Sequence, residues 1–376
     1  MDRKTATGVK KFLFYFGHPA QYFFLRATIR NLIVAGHKVT MLIKTKDVLE
    51  DLIKADGFEY INILPQQRGL SKTAIVFSLV KRIFAILPIL IKGRPTLMVS
   101  SDSSIAILGK ILGISRITIT EDDYGVIKHL ADLTYPFTET ILCPEVCDVG
   151  KFGQKKIGYA GYMKLGYLHP NVFTPDKKVI EAYQLPKKFI LIRLARLTAH
   201  HDFGIQGISK FILQNLISVS KEYGYRVFIS SETVLDRAFE QYHLKIAPTD
   251  LHHILAYASM LISDSQSMSV EAAMLGTPSI RFSSFAGRIT VLEELEHRYQ
   301  LSFGIVPTDQ DKLFKKLREL LVEENMNSIF KQRRDTMLRD KIDVTMFLTW
   351  FLQEYPASRE IMQQTPDKQF EFKKIN

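Results

Sequence analysis

Cysteine is scarce in this sequence: of 376 residues only Cys143 and Cys147 are cysteines, in the segment CPEVC. Two thiols cannot supply the four ligands of a structural zinc ion, and they are too few for a disulfide-stabilised miniprotein. We interpret both as ordinary reduced cysteines and predict neither a metal site nor a cofactor. The start of the chain is polar and lacks the apolar segment of a signal peptide, so we expect a cytoplasmic location.

The sequence also lacks a long apolar segment free of charge. Its most apolar stretch, residues 74–91, carries Lys81 and Arg82 near the middle and Pro88 near the end. A membrane-spanning helix needs about 20 mostly apolar residues without a central pair of charges, so this stretch is not expected to span a bilayer. Two interpretations remain: a buried amphipathic helix, or a basic patch that contacts an anionic membrane peripherally at its inner face.

Positive charge is in excess, with 50 Lys and Arg against 39 Asp and Glu, a formal net charge of +11. Hydrophobic residues make up 46% and charged residues 24%, which is typical of a globular protein rather than a disordered one. The excess favours anionic partners such as nucleotide phosphates or acidic lipid. Because the basic residues are scattered, without an aromatic-interleaved stripe, nucleic-acid binding is not expected.

Short β-rich segments alternate with helical spacers along the chain, which indicates βαβ units and mostly parallel sheets. The pattern starts twice, at Phe12–Phe16 and again at Phe189–Leu194. We predict an α/β protein with two Rossmann-like domains facing a central cleft. The predicted boundaries are an acceptor-side domain over 10–150, a connection over 151–187, a nucleotide-binding domain over 188–342, and a helix with a loose tail over 343–376.

Candidate catalytic residues follow three predicted strands of the first half, because ligands bind outside the carboxyl ends of parallel strands. Gly17 and His18 follow the first strand, Asp102 the fourth and Glu121 the fifth. Two carboxylates in one cleft can differ in pKa and act as acid and base. The alternatives are a histidine with a structural task in the turn, a helix N-cap at Asp102 and a solvated acidic loop.

Candidate phosphate-binding residues follow the strands of the second half. Arginine and histidine beside a loop can bind a diphosphate, and a serine-rich turn at a helix start offers hydroxyls and backbone N–H groups. Glu271, which we place in the first turn of the helix that follows, is a candidate for a ribose diol, with favourable interaction with the helix dipole as the alternative. The remaining predicted nucleotide-sugar-binding residues are Arg193, His201, Asp202, Ser265, Ser267 and Ser269.

The segment DSQSMSVEAAMLGTPSIR, Asp264 to Arg281, resembles the nucleotide-binding segment of the GT-B superfamily. That superfamily includes the non-hydrolysing UDP-N-acetylglucosamine 2-epimerases and many sugar-nucleotide glycosyltransferases. More closely, the chain resembles a poorly characterised GT-B-like family over roughly Phe12 to Thr308. The shared motifs are Gly17-His18-Pro19, Tyr159-Ala160-Gly161-Tyr162, Tyr167-Leu168-His169-Pro170, His201-Asp202-Phe203-Gly204 and the segment that ends at Arg281.

The resemblance implies that the serine turn holds the diphosphate and that Glu271 holds the ribose. Asp102 and Glu121 fall where two catalytic acids of the epimerases would lie. The chain departs from the epimerases in two places: Gln266 and Ser267 replace two glycines, and a His-Arg-Arg-Glu-Asn motif is missing. A further epimerase acid has no convincing counterpart.

These features predict a glycosyltransferase-like enzyme that binds a nucleotide-diphosphate sugar in the interdomain cleft. It would transfer the sugar to a glycan or lipid-linked acceptor, with His18, Asp102 or Glu121 as general base. The alternatives are an enzyme like the UDP-N-acetylglucosamine 2-epimerases and a non-catalytic sugar-nucleotide binding protein.

Overall fold

The computed structural model describes residues 8–45, 48–64, 72–195, 207–232 and 234–373, and only the backbone of 72–76. The described chain forms two compact units. The first contains the residues up to Val172 together with those from Ile342 onward, and the second contains Phe173–Lys341.

The first unit is built on a seven-stranded sheet in which every neighbouring pair is parallel, in the order β3-β2-β1-β4-β5-β6-β7. Its strands are β1 Lys11–Phe16, β2 Lys38–Lys44, β3 Ile61–Leu64, β4 Leu97–Ser100, β5 Ser115–Ile119, β6 Thr140–Pro144 and β7 Lys156–Tyr159. Its helices are α1 Pro19–Val34, α2 Leu49–Ala55, α3 Lys72–Gly93, α4 Ser103–Leu112, α5 Tyr124–Thr134 and α6 Leu165–Leu168, then α14 Val344–Gln353 and α15 Ala357–Gln364 near the end of the chain.

The second unit has a five-stranded parallel sheet in the order β12-β11-β10-β8-β9. The strands are β8 Phe189–Leu194, β9 Arg226–Ser231, β10 Met260–Ser263, β11 Ser279–Phe282 and β12 Ser302–Ile305. The helices are α7 Lys177–Ala182, α8 Lys210–Glu222, α9 Leu251–Tyr257, α10 Gln266–Leu275, α11 Thr290–Glu293, α12 Gln310–Leu321 and α13 Met326–Asp340.

Apolar central strands explain why each sheet is covered on both faces. In β1 the residues from Phe12 to Phe16 are all buried, and β10 is buried from Met260 to Ser263. A parallel strand with helices on both faces has a continuous apolar sequence rather than an alternation of apolar and polar residues. The predicted α/β fold with two Rossmann-like halves is therefore confirmed.

The segment 151–187, predicted as a connection, belongs largely to the first unit. It supplies β7, which pairs with β6, and α6, which packs against α1. At Gly166 a Cβ would lie 2.6 Å from the carbonyl oxygen of Phe24, so only glycine allows this approach. The strand was missed because it is short and only half of its residues are buried.

The terminal segment up to residue 373 has regular structure where we expected a loose tail. Beyond Pro356 it forms α15 and a 3₁₀ helix over Pro366–Phe372. The side chain of Gln369 accepts a hydrogen bond from the N–H of Ala160 (2.6 Å), and the Asp343 N–H donates to Phe372 (2.7 Å). These contacts fix the terminal segment to the first unit, which its polar composition does not reveal.

The helix predicted over the apolar stretch is α3. Arg82, which we placed in a basic lipid-facing patch, is buried instead, at 5% exposure, whereas Lys81 is exposed. Among the described residues, no helix combines the length and apolar character that crossing a bilayer requires. Cys143 and Cys147 are both buried free thiols, and burial raises the pKa of each.

Candidate functional site

The amino end of α10 lies at the carboxyl edge of the second sheet, directly after β10. Ser265 is the N-cap, and its hydroxyl accepts a hydrogen bond from the N–H of Met268 (3.4 Å). Gln266 and Ser267 occupy the first turn, where no earlier helical carbonyl is available to their N–H groups. Ser267 is half-buried, whereas Ser269 is fully buried and donates to the carbonyl of Ser265 (3.2 Å). This edge thus offers hydrogen-bond donors and positive potential, which suit an anion.

Asp264, directly after β10, binds the backbone of the two described segments that flank residues 196–206. Its buried carboxylate accepts hydrogen bonds from the N–H of Ala195 (2.7 Å) and from the N–H of Ile208 (3.4 Å). Burial raises the pKa of this carboxyl group, and the two backbone hydrogen bonds oppose that shift. Two predicted binding residues, His201 and Asp202, lie outside the described residues, but the positions flanking them are held beside α10.

A buried polar network behind the α10 turn was missed by the sequence analysis. Arg281, in β11, is 0% exposed and donates from Nη1 to Gln266 Oε1 (2.7 Å). The amide of Gln266 then donates to Ser283 Oγ (2.8 Å) and to the carbonyl of Asp264 (3.2 Å). The signal in the sequence was the departure at Gln266 from the pattern that the resemblance implies. Arg281 fixes the side chain of Gln266.

Carboxylates surround Arg281 on the far side of this network. Glu293 lies 3.8 Å from Nη2, and an added Cβ at Gly304 would lie 2.7 Å from the same atom and 3.0 Å from Glu296 Oε2. Burial lowers the pKa of Arg281 and raises that of Glu296, while the attraction between the two opposes both shifts. The guanidinium is therefore enclosed by the protein and acts on the site by positioning Gln266.

Glu271 lies in α10 but beyond its first turn, so the predicted first-turn position was wrong and the helix-dipole alternative does not apply. Its side chain is buried, at 7% exposure. Its Oε2 atom is 3.4 Å from Nε2 of His252 in α9, which is also buried. Phe173 contacts the same histidine ring edge-on. The predicted ribose ligand thus already has a protein neighbour, and a diol would have to share the carboxylate with His252.

Arg193 is the penultimate residue of β8, at the same edge, but its side chain points toward β9. Its guanidinium donates to Ser230 Oγ (2.6 Å) and to Glu232 Oε1 (2.8 Å). The Arg193 backbone carbonyl accepts from Ser263 Oγ (2.8 Å), which ties β8 to β10. Glu232 partly neutralises the charge that we expected to face a diphosphate. The role of Arg193 in binding stays a prediction.

In the first unit, His18 is the N-cap of α1 and is exposed. Its Nδ1 accepts a hydrogen bond from the N–H of Ala20 (3.2 Å), which is the structural alternative considered for this residue. The Gly17 N–H donates to Gln21 Oε1 (2.9 Å). An added Cβ at Gly17 would lie 3.3 Å from Cε of Lys44, so the end of β2 brings a lysine beside this turn.

Asp102 caps α4 and forms an ion pair. Its Oδ1 accepts from the N–H and the hydroxyl of Ser104 (2.9 and 2.6 Å) and lies 3.3 Å from Nε of Arg82. Tyr15 lies close enough for Asp102 to help raise its pKa, although burial is the main cause. The N-cap alternative is therefore present in the structure, together with a partner for the carboxylate that we did not anticipate.

Glu121 follows β5 and has both oxygens engaged. Oε1 accepts from the N–H of Met163 (2.6 Å), and Oε2 lies 2.7 Å from Nζ of Lys164. Both members of the pair are mostly buried. Since β4 and β5 are neighbours, Asp102 and Glu121 follow adjacent strands as predicted. Each carboxylate is nevertheless bound within its own unit, and their catalytic roles stay predictions.

Two parallel α/β units with flanking helices define the GT-B class of fold. The chain belongs to the family described as "Protein of unknown function (DUF354)", whose model matches residues 17–331. This confirms the predicted membership in a poorly characterised family. The sequence has no significant match among curated proteins.

Solved structures share this fold at low sequence identity. The S. aureus MnaA structure with UDP has a TM-score of 0.66 at 11% identity and covers 93% of this chain and 98% of its own. The Neisseria meningitidis UDP-GlcNAc 2-epimerase bound to UDP-GlcNAc has 0.63 at 13%, covering 87% and 99%. The spinosyn forosaminyltransferase SpnP has 0.59 at 15%, covering 96% and 99%.

Proposed function

We propose that the second unit binds a nucleotide-diphosphate sugar and that the protein transfers the sugar to a glycan or lipid-linked acceptor. The observation that carries this proposal is the amino end of α10: a serine N-cap, first-turn N–H groups at the carboxyl edge of a parallel sheet, and Glu271 further along the same helix. In this arrangement the diphosphate lies at the helix terminus and the ribose reaches the carboxylate.

In this proposal, sugar transfer is promoted by stabilising the nucleotide diphosphate as it leaves. When the sugar departs, negative charge grows on the diphosphate, and fixed N–H dipoles at a helix terminus stabilise that charge without reorganising. The network through Gln266 and Arg281 keeps the turn in one conformation. Activation of the acceptor hydroxyl by His18, Asp102 or Glu121 is the less supported half of the proposal, because all three accept hydrogen bonds from their own unit.

A 2-epimerase-like activity is the second candidate, favoured by the positions of Asp102 and Glu121 after adjacent strands. An epimerase requires such acids to act on the sugar itself. The contacts of Glu121 with Met163 and Lys164 argue against a free acid there. Product analysis separates the two candidates: transfer releases nucleotide diphosphate and requires an acceptor, whereas epimerisation changes the sugar alone.

The test is a calorimetric binding panel with UDP, GDP, CMP, dTDP and their sugar conjugates, beginning with UDP because two of the similar structures contain it or its sugar. We expect one nucleotide to bind, and Glu271→Ala to weaken that binding by about 1–3 kcal/mol, the range for a hydrogen bond to a charged group.

His252→Ala is the matched control, because it removes the contact between His252 and Glu271 while it keeps the carboxylate. We expect it to leave nucleotide binding intact. Equal loss in both variants would mean that the pair only maintains the fold around α10. If no nucleotide binds the wild type, the proposed site is wrong.

A further inference from the structure

Helix α3 has two opposite faces, and the outer one is apolar. Every fourth residue from Ser78 through Arg82, Ile86 and Leu90 is buried. Ile86 and Leu90 pack into the core beneath the helix, which includes Leu13 and Leu42 of the sheet. Residues on the opposite side are exposed although they are large and apolar: Phe77 (72%), Val80 (42%), Phe84 (70%) and Ile91 (58%).

This outer face, which we call the α3 face, is continuous along the helix. Phe77, Phe84 and Ile91 recur every seven residues, and Val80 fills the turn between the first two, so all four lie along one line of the helix. Single exposed apolar side chains are ordinary, whereas a row of them that includes two phenylalanines marks an interaction surface.

The charged residues of α3 itself are of one sign. Lys81 and Lys92 are exposed beside it, and the sequence from residue 72 to 93 contains no Asp or Glu. Arg94, which follows the helix directly, is exposed as well. A row of aromatic and aliphatic side chains bordered by lysines is the pattern of a helix that lies in the interface of an anionic membrane.

Basic residues continue from the end of α3 along the edge where the strands begin. Lys11, at the start of β1, donates to the carbonyl of Gly93 (3.3 Å). Lys38, which pairs with Lys11 at the start of the neighbouring β2, is exposed as well. The edge next to the end of α3 therefore adds positive charge that attracts an anionic surface.

We propose that the α3 face binds the surface of an anionic lipid bilayer, with Phe77, Phe84 and Ile91 entering the headgroup region and Lys81 and Lys92 contacting lipid phosphates. The helix lies in the membrane plane and does not cross it. Arg82 takes no part, since it is buried and paired with Asp102. This proposal does not depend on nucleotide binding.

The test is flotation of the full chain with vesicles of phosphatidylcholine alone or mixed in equal parts with phosphatidylglycerol. We expect wild type to float with the mixed vesicles at low salt and much less with the neutral ones. Phe77→Ser combined with Phe84→Ser should lower the partition coefficient by roughly tenfold or more. Phe211→Ser is the matched control, because Phe211 is a phenylalanine of similar exposure (65%) on α8 of the second unit.

Lys81→Glu is a second variant that leaves the apolar row intact and should also weaken flotation. Thermal unfolding checks that each variant is folded. The proposal is overturned if wild type does not float, or if the double serine variant floats like wild type. It is also overturned if the double variant abolishes self-association of the protein in solution without changing flotation, because a second copy of the chain would then cover the α3 face.

Discussion

The two sheets differ in what their carboxyl edges present to a ligand. In the first unit, the acidic residues after β4 and β5 are paired with cations of the same unit, Arg82 and Lys164. In the second unit, a neutral serine rather than a carboxylate caps α10 after β10, and the acid of this turn, Asp264, accepts only backbone hydrogen bonds among the described residues.

This difference shows why acidic residues at strand ends are weak evidence for catalysis. A carboxylate there can serve as a helix cap and as the partner of a buried cation, and Asp102 does both. Donor groups at a helix terminus are stronger evidence where the cap is neutral, as at Ser265. The amino end of α4 has such donors too, but the carboxylate of its cap, Asp102, would repel an anion. The second edge is therefore the better founded ligand site.

The largest expected effect tests the structural role of Asp102. Asp102→Ala removes the cap of α4 and leaves the Arg82 charge buried without its carboxylate. We expect a loss of about 3–5 kcal/mol in unfolding free energy, the range for breaking a buried ion pair from one side. Denaturant unfolding measures it.

Asp102→Asn separates the two contributions, because asparagine still caps a helix but carries no charge. We expect this variant to lose most of the same stability. If Asp102→Ala has the unfolding free energy of wild type, neither the cap nor the ion pair of Asp102 contributes to stability. Asp102 could then be a free acid, and the two carboxyl edges would no longer differ in this respect.

A smaller effect, on nucleotide affinity, is expected when a negative charge is placed at the carboxyl edge of the second sheet. Ser267→Asp introduces a carboxylate into the first turn of α10 at a half-buried position. The helix dipole favours a negative group there by about 0.3–1 kcal/mol, so thermal stability should be unchanged or slightly higher. Nucleotide affinity should fall by about 2–3 kcal/mol, because a like charge replaces a hydrogen-bond donor.

The opposite signs of the two effects make this variant informative. Ser267→Ala is its control and should weaken binding only modestly, since the backbone N–H remains. If Ser267→Asp keeps full affinity for the nucleotide that wild type binds, the diphosphate does not lie at the amino end of α10.

Much of the fold was predictable because buried parallel strands are apolar runs with clear ends. The predicted bounds of Phe189–Leu194 are those of β8, and Phe12–Phe16 is β1 without its first residue. The terminal 3₁₀ helix was not predictable, because its polar residues are fixed by long-range contacts such as that of Gln369 with Ala160.

For the candidate site, the sequence predicted which residues follow the strands but not which side chains they contact. The pattern places Asp102 after a strand, but the cation beside it comes from α3, and nothing in the local sequence shows that Arg82 turns inward. The link from Arg281 to Gln266 joins a strand to a helix fifteen positions away, and it exists only once β10 and β11 pair. Contacts between residues distant in sequence could not be predicted from local sequence patterns.

The smallest expected effect concerns the buried carboxyl group of Glu296 behind the second edge. Burial raises its pKa above the ordinary value of 4.5, so the folded state binds a proton more tightly than the unfolded state. Between pH 4.5 and the raised pKa the unfolding free energy therefore falls as pH rises. Glu296→Gln should remove this fall when chemical unfolding is followed from pH 4 to 7.

Glu319→Gln in α12 is the matched control with the opposite sign. A hydrogen bond from Lys316 lowers the pKa of Glu319, so its contribution to stability is present above its ordinary pKa and is lost as pH falls. Removing Glu319 should therefore reduce a rise with pH, whereas removing Glu296 should reduce a fall. If Glu296→Gln and wild type have identical pH profiles, the attraction of Arg281 fully offsets the cost of burying the Glu296 carboxylate. The carboxylate would then be paired with its cation as closely as Asp102 and Glu121 are in the first unit.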